Sequence, residues 1–187
     1  MPRFAANLSM MFTERAFLDR FEAAAACGFK AVELLFPYAF PADEIRARLD
    51  RHGLEQALFN LPPGDWEKGD RGIAIFPDRC GEFAASVQQA LAHARVLDCR
   101  RLHVMAGVVR PGMDRAAAER TYLDNLRLAA SEAAAHGVQL LIEPLNTRDM
   151  PGYFLTDTAE ATRIIEAVGS DHVRLQLDLY HRQIMGG

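Results

Sequence analysis

Short apolar segments alternate with longer, partly polar segments along the whole chain. The short segments hold four to six residues, too few for a typical helix, and contain several residues common in strands. We interpret them as buried strands of a parallel sheet, which are apolar on both faces. They are Phe4–Leu8, Ala31–Phe36, Gln56–Phe59, Arg101–Met105, Val138–Ile142 and Val173–Leu177.

Five longer, alanine-containing segments are predicted to be helices. Four of them stop directly before a glycine, which supplies the left-handed conformation that ends a helix. Threonine or aspartate near their first residues can accept hydrogen bonds from the free N–H groups there. The five segments are Thr13–Cys27, Ala42–His52, Asp78–Asp98, Asp114–His136 and Asp157–Val168.

The alternation of strand and helix is typical of a parallel sheet with right-handed crossovers. An open sheet that binds a dinucleotide carries G-x-G-x-x-G after its first strand, whereas residues 7–11 contain no glycine. Polar strand ends favour a barrel, whose active sites lie at the carboxyl ends of the strands. We therefore predict an α/β fold of the (β/α)8 TIM-barrel type, with about six of the eight βα units in one domain over residues 1–187.

Each predicted strand ends in a polar or ionisable residue. Buried carboxylates need a cationic partner or a metal, so Glu143 in LLIEPLN and Asp178 in LQLDLYH are the strongest candidates. They are 178 − 143 = 35 residues apart, which is one βα unit and fits adjacent strands. The full set is Asn7, Ser9, Glu33, Asn60, His103, Glu143, Asn146, Asp178 and His181.

Two converging carboxylates form a hard oxygen site that suits Mg²⁺ or Mn²⁺. The alternative is that each carboxylate pairs with an arginine, for instance Arg148 or Arg182. His103 is either a satisfied core residue or a functional one. His181 follows Asp178 by three residues and is expected to orient substrate or to bind a metal.

The longest connection spans residues 60–77 and contains three glycines and the only tryptophan, Trp66. Loops of this length in compact domains are usually functional or disordered. We expect either a lid that contacts substrate or a solvated excursion. No Gly-Lys-Ser/Thr follows, which excludes a phosphate-binding P-loop.

Composition narrows the class of protein. The net charge of −4 gives no basic footprint for nucleic acid or an anionic membrane. Three cysteines without a CxxC pair indicate reduced thiols, and Glu14 and Arg15 come too early for a signal peptide. We expect a cytoplasmic protein that acts on a small molecule, with homo-oligomer formation left open.

Five segments between residues 4 and 185 match a known family. They are FAANLSMMFTE, AVELLFPY, EQALFNLPPGDWEKGDRGIA, LIEPLNTRDMPGYFL and RLQLDLYHRQIM. In these segments the chain resembles the hydroxypyruvate isomerase family of the xylose-isomerase-like barrels. The resemblance implies a divalent metal, Mg²⁺ or Mn²⁺, held by side chains of strands five to eight, with Glu143 and Asp178 as the first two ligands. It also implies that Glu143 is one of two glutamates that move a proton, and that His181 contacts substrate.

The resemblance further implies an isomerase that converts hydroxypyruvate to tartronate semialdehyde through an enediolate, or that acts on 2-oxo-tetronate. The substrate carboxylate needs a cationic partner, for which Lys68, Arg71 and Arg182 are candidates, and His103 is a further candidate substrate contact. The third ligand and the second glutamate are expected on strands beyond these 187 residues. A polypeptide of this length alone is therefore expected to be unstable or self-associating and nearly inactive. Rival hypotheses are an inactive barrel fragment that serves binding or assembly, and a DNA-repair endonuclease.

Overall fold

A computed structural model describes residues 2–186, which form one six-stranded sheet and six α-helices. The strands are β1 Ala5–Asn7, β2 Ala31–Leu34, β3 Glu55–Asn60, β4 Arg101–His103, β5 Gln139–Ile142 and β6 Val173–Leu175. The helices are α1 Arg20–Ala26, α2 Ala42–His52, α3 Cys80–Leu97, α4 Arg115–Ala135, α5 Thr158–Val168 and α6 Leu179–Gly186.

The six strands pair in chain order, and every pair is parallel. Right-handed crossovers that always step in the same direction place every connecting helix on the same face of the sheet. Consecutive helices from α1 to α5 accordingly pack against one another. This arrangement is that of a barrel, and it confirms the predicted fold class against the open sheet with two covered faces.

The sheet is curved, as the electrostatics of its two ends indicate. Glu33 on β2 and Asp178 just after β6 are close enough for the Asp178 charge to raise the pKa of Glu33. Strands four positions apart in a flat sheet are separated by about 19 Å, at about 4.8 Å for each strand. Curvature therefore brings the carboxyl ends of β2 and β6 towards the same mouth.

The hydrophobic core lies between the sheet and the ring of helices. Strand residues such as Val32 and Leu140 are fully buried there, together with Phe83 of α3 and Leu126 of α4. Alanines line the inner faces of α3 and α4 at Ala90, Ala94, Ala129, Ala130 and Ala133. Small side chains at these positions allow close packing of the two long helices.

Most of the predicted helix ends agree with the structure, and α2 has the bounds that the sequence predicts. Gly53, Gly137 and Gly169 have φ values of 61°, 64° and 70°, so glycine does end these helices in the left-handed region. Pro41, which precedes α2, makes no side-chain cap. Asp157, which precedes α5, does so by accepting hydrogen bonds from the main-chain N–H groups of Ala159 and Glu160.

Three helix predictions need correction. The first helix begins at Arg20, after a 3-10 turn at Phe17–Asp19, because residues 8–15 form turns around Phe12, which has a φ of 60°. The third begins at Cys80, after a separate 3-10 turn at Pro77–Arg79. Helix α6 is not among the elements predicted from the sequence, the last of which is the sixth strand, Val173–Leu177.

The loop at residues 61–76 lies at the carboxyl end of the sheet, the same end as Glu143. Gly72 bridges to Ala106 beyond β4, and the Trp66 ring lies 5.2 Å from that of Phe36 beyond β2. Asp70 is anchored by Arg79, with 2.7 Å between Nη1 and Oδ2. Residues 73–76 are buried, so the last quarter of the loop is not a solvated excursion. The lid role stays a prediction.

Within residues 2–186, β1 pairs only with β2 and β6 only with β5, so each has one open edge. Large apolar side chains are exposed close to these edges, among them Phe4 before β1 and Leu177 after β6. None of the helices in this part of the chain has the length and apolar character needed to cross a membrane.

Candidate active site

Glu143 follows β5 directly and is only 7% exposed. Burial raises the pKa of this carboxyl to about 8, and the negative charges of Asp178 and Glu33 act in the same direction. A hydrogen bond from the Gln176 side chain opposes the rise in pKa. Three carboxylates therefore face a common space in which Glu143 is hard to ionise unless a cation is present.

Asp178 lies between β6 and α6, and its two oxygens have different roles. Oδ1 accepts the main-chain N–H groups of Tyr180 and His181, at 2.7 and 3.2 Å, and so caps the start of α6. Oδ2 lies 3.8 Å from Nε2 of His181. The cap orients the carboxylate and leaves one oxygen free to face the mouth.

The expected arginine pairs are not formed in the part of the chain that the structure describes. There, the only ion-pair partners of Glu143 and Asp178 are His103 and His181. The alternative hypothesis, in which arginines neutralise the two carboxylates, therefore finds no support in this geometry.

Glu143, Asp178 and His181 come together as one group. Each offers a potential ligand atom, and these atoms lie within 4.8 Å of one another. Two carboxylates with a nearby imidazole suit Mg²⁺ or Mn²⁺, with water or substrate oxygens completing the shell. The buried Nε2 of His103 has no hydrogen-bond partner among the described residues and faces the same group, as expected for a site that receives a further polar group.

His103 is 3% exposed at the end of β4. Its Nδ1 lies 3.2 Å from Oδ1 of Asn60, and its Nε2 lies 3.8 Å from Oε2 of Glu143. Burial lowers the pKa of His103 to about 4, and His181 acts in the same direction, so the imidazole is neutral near pH 7. The structure thus satisfies one nitrogen of His103 from within the core and presents the other to Glu143.

His181 lies in the first turn of α6 and is held by Asn146. The main-chain N–H and the side-chain amide of Asn146 lie 3.2 and 2.7 Å from Nδ1 of His181. Because Nδ1 is engaged in this way, Nε2 is the atom that faces Asp178. Asn146, which follows β5, thus contacts His181, which follows β6.

The three candidate cations do not contact the carboxylate group. Arg71 lies over the Trp66 ring, 3.7 Å from its centroid, and donates to main-chain oxygens of Trp66 and Asp70. Lys68 pairs with Asp65 at an exposed position. Arg182 lines a small cavity together with Asp178 and His181, which makes it the candidate nearest to the site.

Two residues at the mouth were not assigned a role from the sequence. Glu33 accepts a hydrogen bond from Asn7 Nδ2 at 2.8 Å, and burial raises its pKa. Gln176 contacts Glu143, and its Oε1 is buried without a partner among residues 2–186. Gln176 precedes Asp178 by two residues, and strand alternation places such residues on one face, which is the signal that could have revealed it.

Comparisons with known proteins agree with this geometry. A model of the xylose isomerase-like TIM barrel family matches residues 21–187. The chain is 56% identical over 187 residues to the 2-oxo-tetronate isomerase of Cupriavidus necator, with 100% of this chain and 72% of that protein covered. It is 43% identical to the hydroxypyruvate isomerase of Escherichia coli, again with 100% and 72% covered.

Solved structures show the same fold. A crystal structure described as an AP endonuclease, family 2, from Brucella melitensis is 53% identical in sequence to this chain and has a TM-score of 0.98. The match covers 100% of this chain and 72% of that one. D-Psicose 3-epimerase from Clostridium cellulolyticum H10 is 18% identical with a TM-score of 0.78, over 99% of this chain and 66% of that one, which shows the fold alone. The chain therefore belongs to the xylose isomerase-like TIM barrel family, and within it to the group of hydroxypyruvate and 2-oxo-tetronate isomerases.

Proposed function

We propose that this protein is a metal-dependent isomerase that moves the carbonyl group of a small 2-oxo acid between adjacent carbons. The observation that carries the proposal is the group of Glu143, Asp178 and His181, with ligand atoms within 4.8 Å of one another at the carboxyl end of the sheet. A barrel places its reactive groups at this end. Hydroxypyruvate and tartronate semialdehyde are one such pair of isomers.

Glu143 is the proposed base. Burial raises the pKa of this carboxyl to about 8 in the metal-free protein, and a bound divalent metal would favour the ionised form, which is the form that accepts a proton. It takes a proton from the hydroxyl-bearing carbon of the substrate. The hydroxyl proton passes to the former carbonyl oxygen, and a proton is then returned to the former carbonyl carbon. Asp178 and Glu143 would hold the metal, which when bound polarises the substrate oxygens and stabilises negative charge on them.

The residues that surround Glu143 hold its side chain in position and exclude water from it. Nε2 of neutral His103 faces Oε2 and can accept a hydrogen bond from Glu143 once the carboxyl has taken the substrate proton. Gln176 donates to the ionised form. His181 and Arg182 are the proposed contacts for substrate oxygens, and Arg71 can serve only if it leaves the Trp66 ring.

The choice of substrate lies between two compounds. The relative that is 56% identical is a 2-oxo-tetronate isomerase, and the relative that is 43% identical is a hydroxypyruvate isomerase. The higher identity favours 2-oxo-tetronate. An endonuclease is disfavoured, because the net charge of −4 provides no general attraction for the phosphate backbone.

The test is an isomerisation assay with both substrates and with Mg²⁺ or Mn²⁺. Because the chain covers 72% of the C. necator relative, it is assayed alone and as a fusion in which the segment of that relative beyond the matched region follows Gly187. We call this fusion the completed protein. We expect metal-dependent turnover in the completed protein, and a loss of about 10²–10⁴-fold when Glu143→Gln removes the base.

The matched control is Glu33→Gln, which removes a neighbouring carboxylate with the same change of shape and should retain measurable turnover. No turnover of either substrate by the completed protein with either metal would reject the proposal. Equal activity of Glu143→Gln and the unsubstituted protein would remove Glu143 from the mechanism.

A further inference from the structure

Asn146 is fully buried beyond β5, and its amide orientation is fixed by its surroundings. Its Oδ1 accepts the main-chain N–H groups of Arg148 and Asp149, at 3.0 and 2.8 Å. If the amide were flipped, Nδ2 would face both of these N–H groups, and neither group would have an acceptor. The oxygen must therefore face the turn, and Nδ2 must face the other way.

Both protons of Nδ2 have acceptors. One is donated to Oδ2 of Asp149 at 2.9 Å, and the other is directed at Nδ1 of His181 at 2.7 Å. Oδ2 of Asp149 also accepts the hydroxyl of Tyr180 at 2.6 Å, which fixes the carboxylate in turn. The main-chain N–H of Asn146 adds a second donor to Nδ1 of His181, at 3.2 Å.

Two N–H groups that point at Nδ1 leave no room for a proton on that nitrogen. A neutral imidazole carries its single proton on one nitrogen only, so the proton of His181 must be on Nε2. Nε2 is the nitrogen that lies 3.8 Å from Oδ2 of Asp178, at the mouth. A protonated nitrogen cannot bind a metal ion, but it can donate a hydrogen bond to an oxygen.

We propose that Asn146 is a positioning residue that fixes His181 as an Nε2–H donor aimed at a substrate oxygen. The donor then stabilises negative charge that develops on that oxygen during proton transfer, and its geometry is set before substrate arrives. The identity of the oxygen rests on the proposed function, whereas the tautomer of His181 does not. It also follows that, of the three residues that meet at the mouth, His181 is not a metal ligand.

The tautomer is measurable by long-range proton–nitrogen correlation spectroscopy on the ¹⁵N-labelled completed protein. Spectra are recorded about two pH units above the ordinary imidazole pKa of about 6.5, and His181 is assigned by the signal that His181→Gln removes. We expect Nδ1 of His181 to be unprotonated and Nε2 to be protonated. A proton on Nδ1 in the unsubstituted protein would overturn the proposal without any variant.

Two isosteric variants test the role of Asn146. Asn146→Asp replaces the Nδ2 donor by a carboxylate oxygen, and we expect the proton to move to Nδ1. Asp149→Asn is the matched control one step along the chain, and it should leave Nδ1 unprotonated because the Asn146 amide is retained. The main-chain N–H of residue 146 still points at Nδ1 in this variant, at 3.2 Å. An Asn146→Asp protein with Nδ1 still unprotonated would mean that this main-chain donor alone sets the tautomer, and it would overturn the role of the Asn146 amide. Absence of isomerase activity would leave this result unaffected, so the two proposals can fail separately.

Discussion

At the scale of single residues, burial drives two neighbouring groups towards their neutral forms. The pKa of Glu143 is raised to about 8 and that of His103 is lowered to about 4, mainly because both lose solvent. Their facing atoms are 3.8 Å apart. Two neutral groups can be buried together at low cost. A bound divalent cation would be the largest local charge, so it would make the ionised form of Glu143 the favoured one.

These shifts predict how stability depends on pH in the metal-free protein. Glu143 binds its proton more tightly in the folded protein than in the unfolded one. Its contribution to the free energy of unfolding is therefore complete below pH 4.5 and is lost as pH rises to about 8. His103 binds its proton less tightly when folded, so its contribution is complete above pH 6.5 and is lost as pH falls to about 4. The two effects oppose each other between pH 4.5 and 6.5.

We therefore expect the free energy of unfolding to fall between pH 6.5 and about 8, by about 1.4 kcal/mol for each pH unit from Glu143. Urea titrations in the presence of a chelator measure this. Glu143→Gln should remove most of the slope, and saturating Mn²⁺ should do the same in the unsubstituted protein. A slope unchanged by Glu143→Gln would show that Glu143 does not titrate as described.

The sequence indicates which residues lie together at the mouth better than it indicates which hydrogen bonds and charge contacts they make there. Glu143, Asp178 and His181 could be predicted because charged residues within apolar strands are costly and because their spacing matches one βα unit. The roles of Asn146 and Glu33 could not, because they depend on side-chain directions and on the curvature of the sheet.

At the scale of elements, helix ends marked by glycine were predictable, and helix starts were less so. Gly53 and Gly169 end α2 and α5 where the sequence predicts. The start of α1 is displaced because the chain first turns around Phe12. Helix α6 is not predicted because Asp178 is interpreted from the sequence as a metal ligand or an arginine partner and not as a helix cap. In the structure one of its oxygens caps the helix, while the other faces the mouth.

The loop at residues 61–76 offers a matched pair of glycines. Gly69 and Gly72 have φ values of 95° and 101°, a region that disfavours other residues. A Cβ on Gly69 meets nothing within 4 Å, whereas a Cβ on Gly72 would overlap the main-chain oxygen of Met105. We expect Gly69→Ala to cost about 1–3 kcal/mol from backbone strain, and Gly72→Ala to cost clearly more.

Urea unfolding of the two variants measures the difference. Gly72→Ala should also reduce turnover in the completed protein, since the displaced segment beyond β4 follows His103 directly. Equal losses of stability would mean that the bridge between Gly72 and Ala106 does not hold the loop at the carboxyl end of the sheet.

At the scale of the whole molecule, the alternation of segments predicts only a parallel sheet, and the polar strand ends favour the barrel, whose sequential strand order the structure shows. The open edges of β1 and β6 expose unpaired main-chain groups and nearby apolar side chains such as Phe4 and Leu177. We expect the 187-residue polypeptide to self-associate and the completed protein to melt at a higher temperature. Light scattering and thermal unfolding compare the two, and a monodisperse monomer of equal melting temperature would contradict this.

In the proposed reaction, Glu143 takes a proton from the carbon next to the carbonyl group of a 2-oxo acid when a divalent metal is bound. The most direct measurement follows deuterium uptake from D₂O into hydroxypyruvate and 2-oxo-tetronate by proton NMR, with the completed protein and Mn²⁺ or Mg²⁺. We expect uptake at the hydroxyl-bearing carbon together with isomer formation, and we expect both to be lost on chelation of the metal and in Glu143→Gln. Uptake at the same rate in Glu143→Gln, or isomer formation without metal, would contradict it.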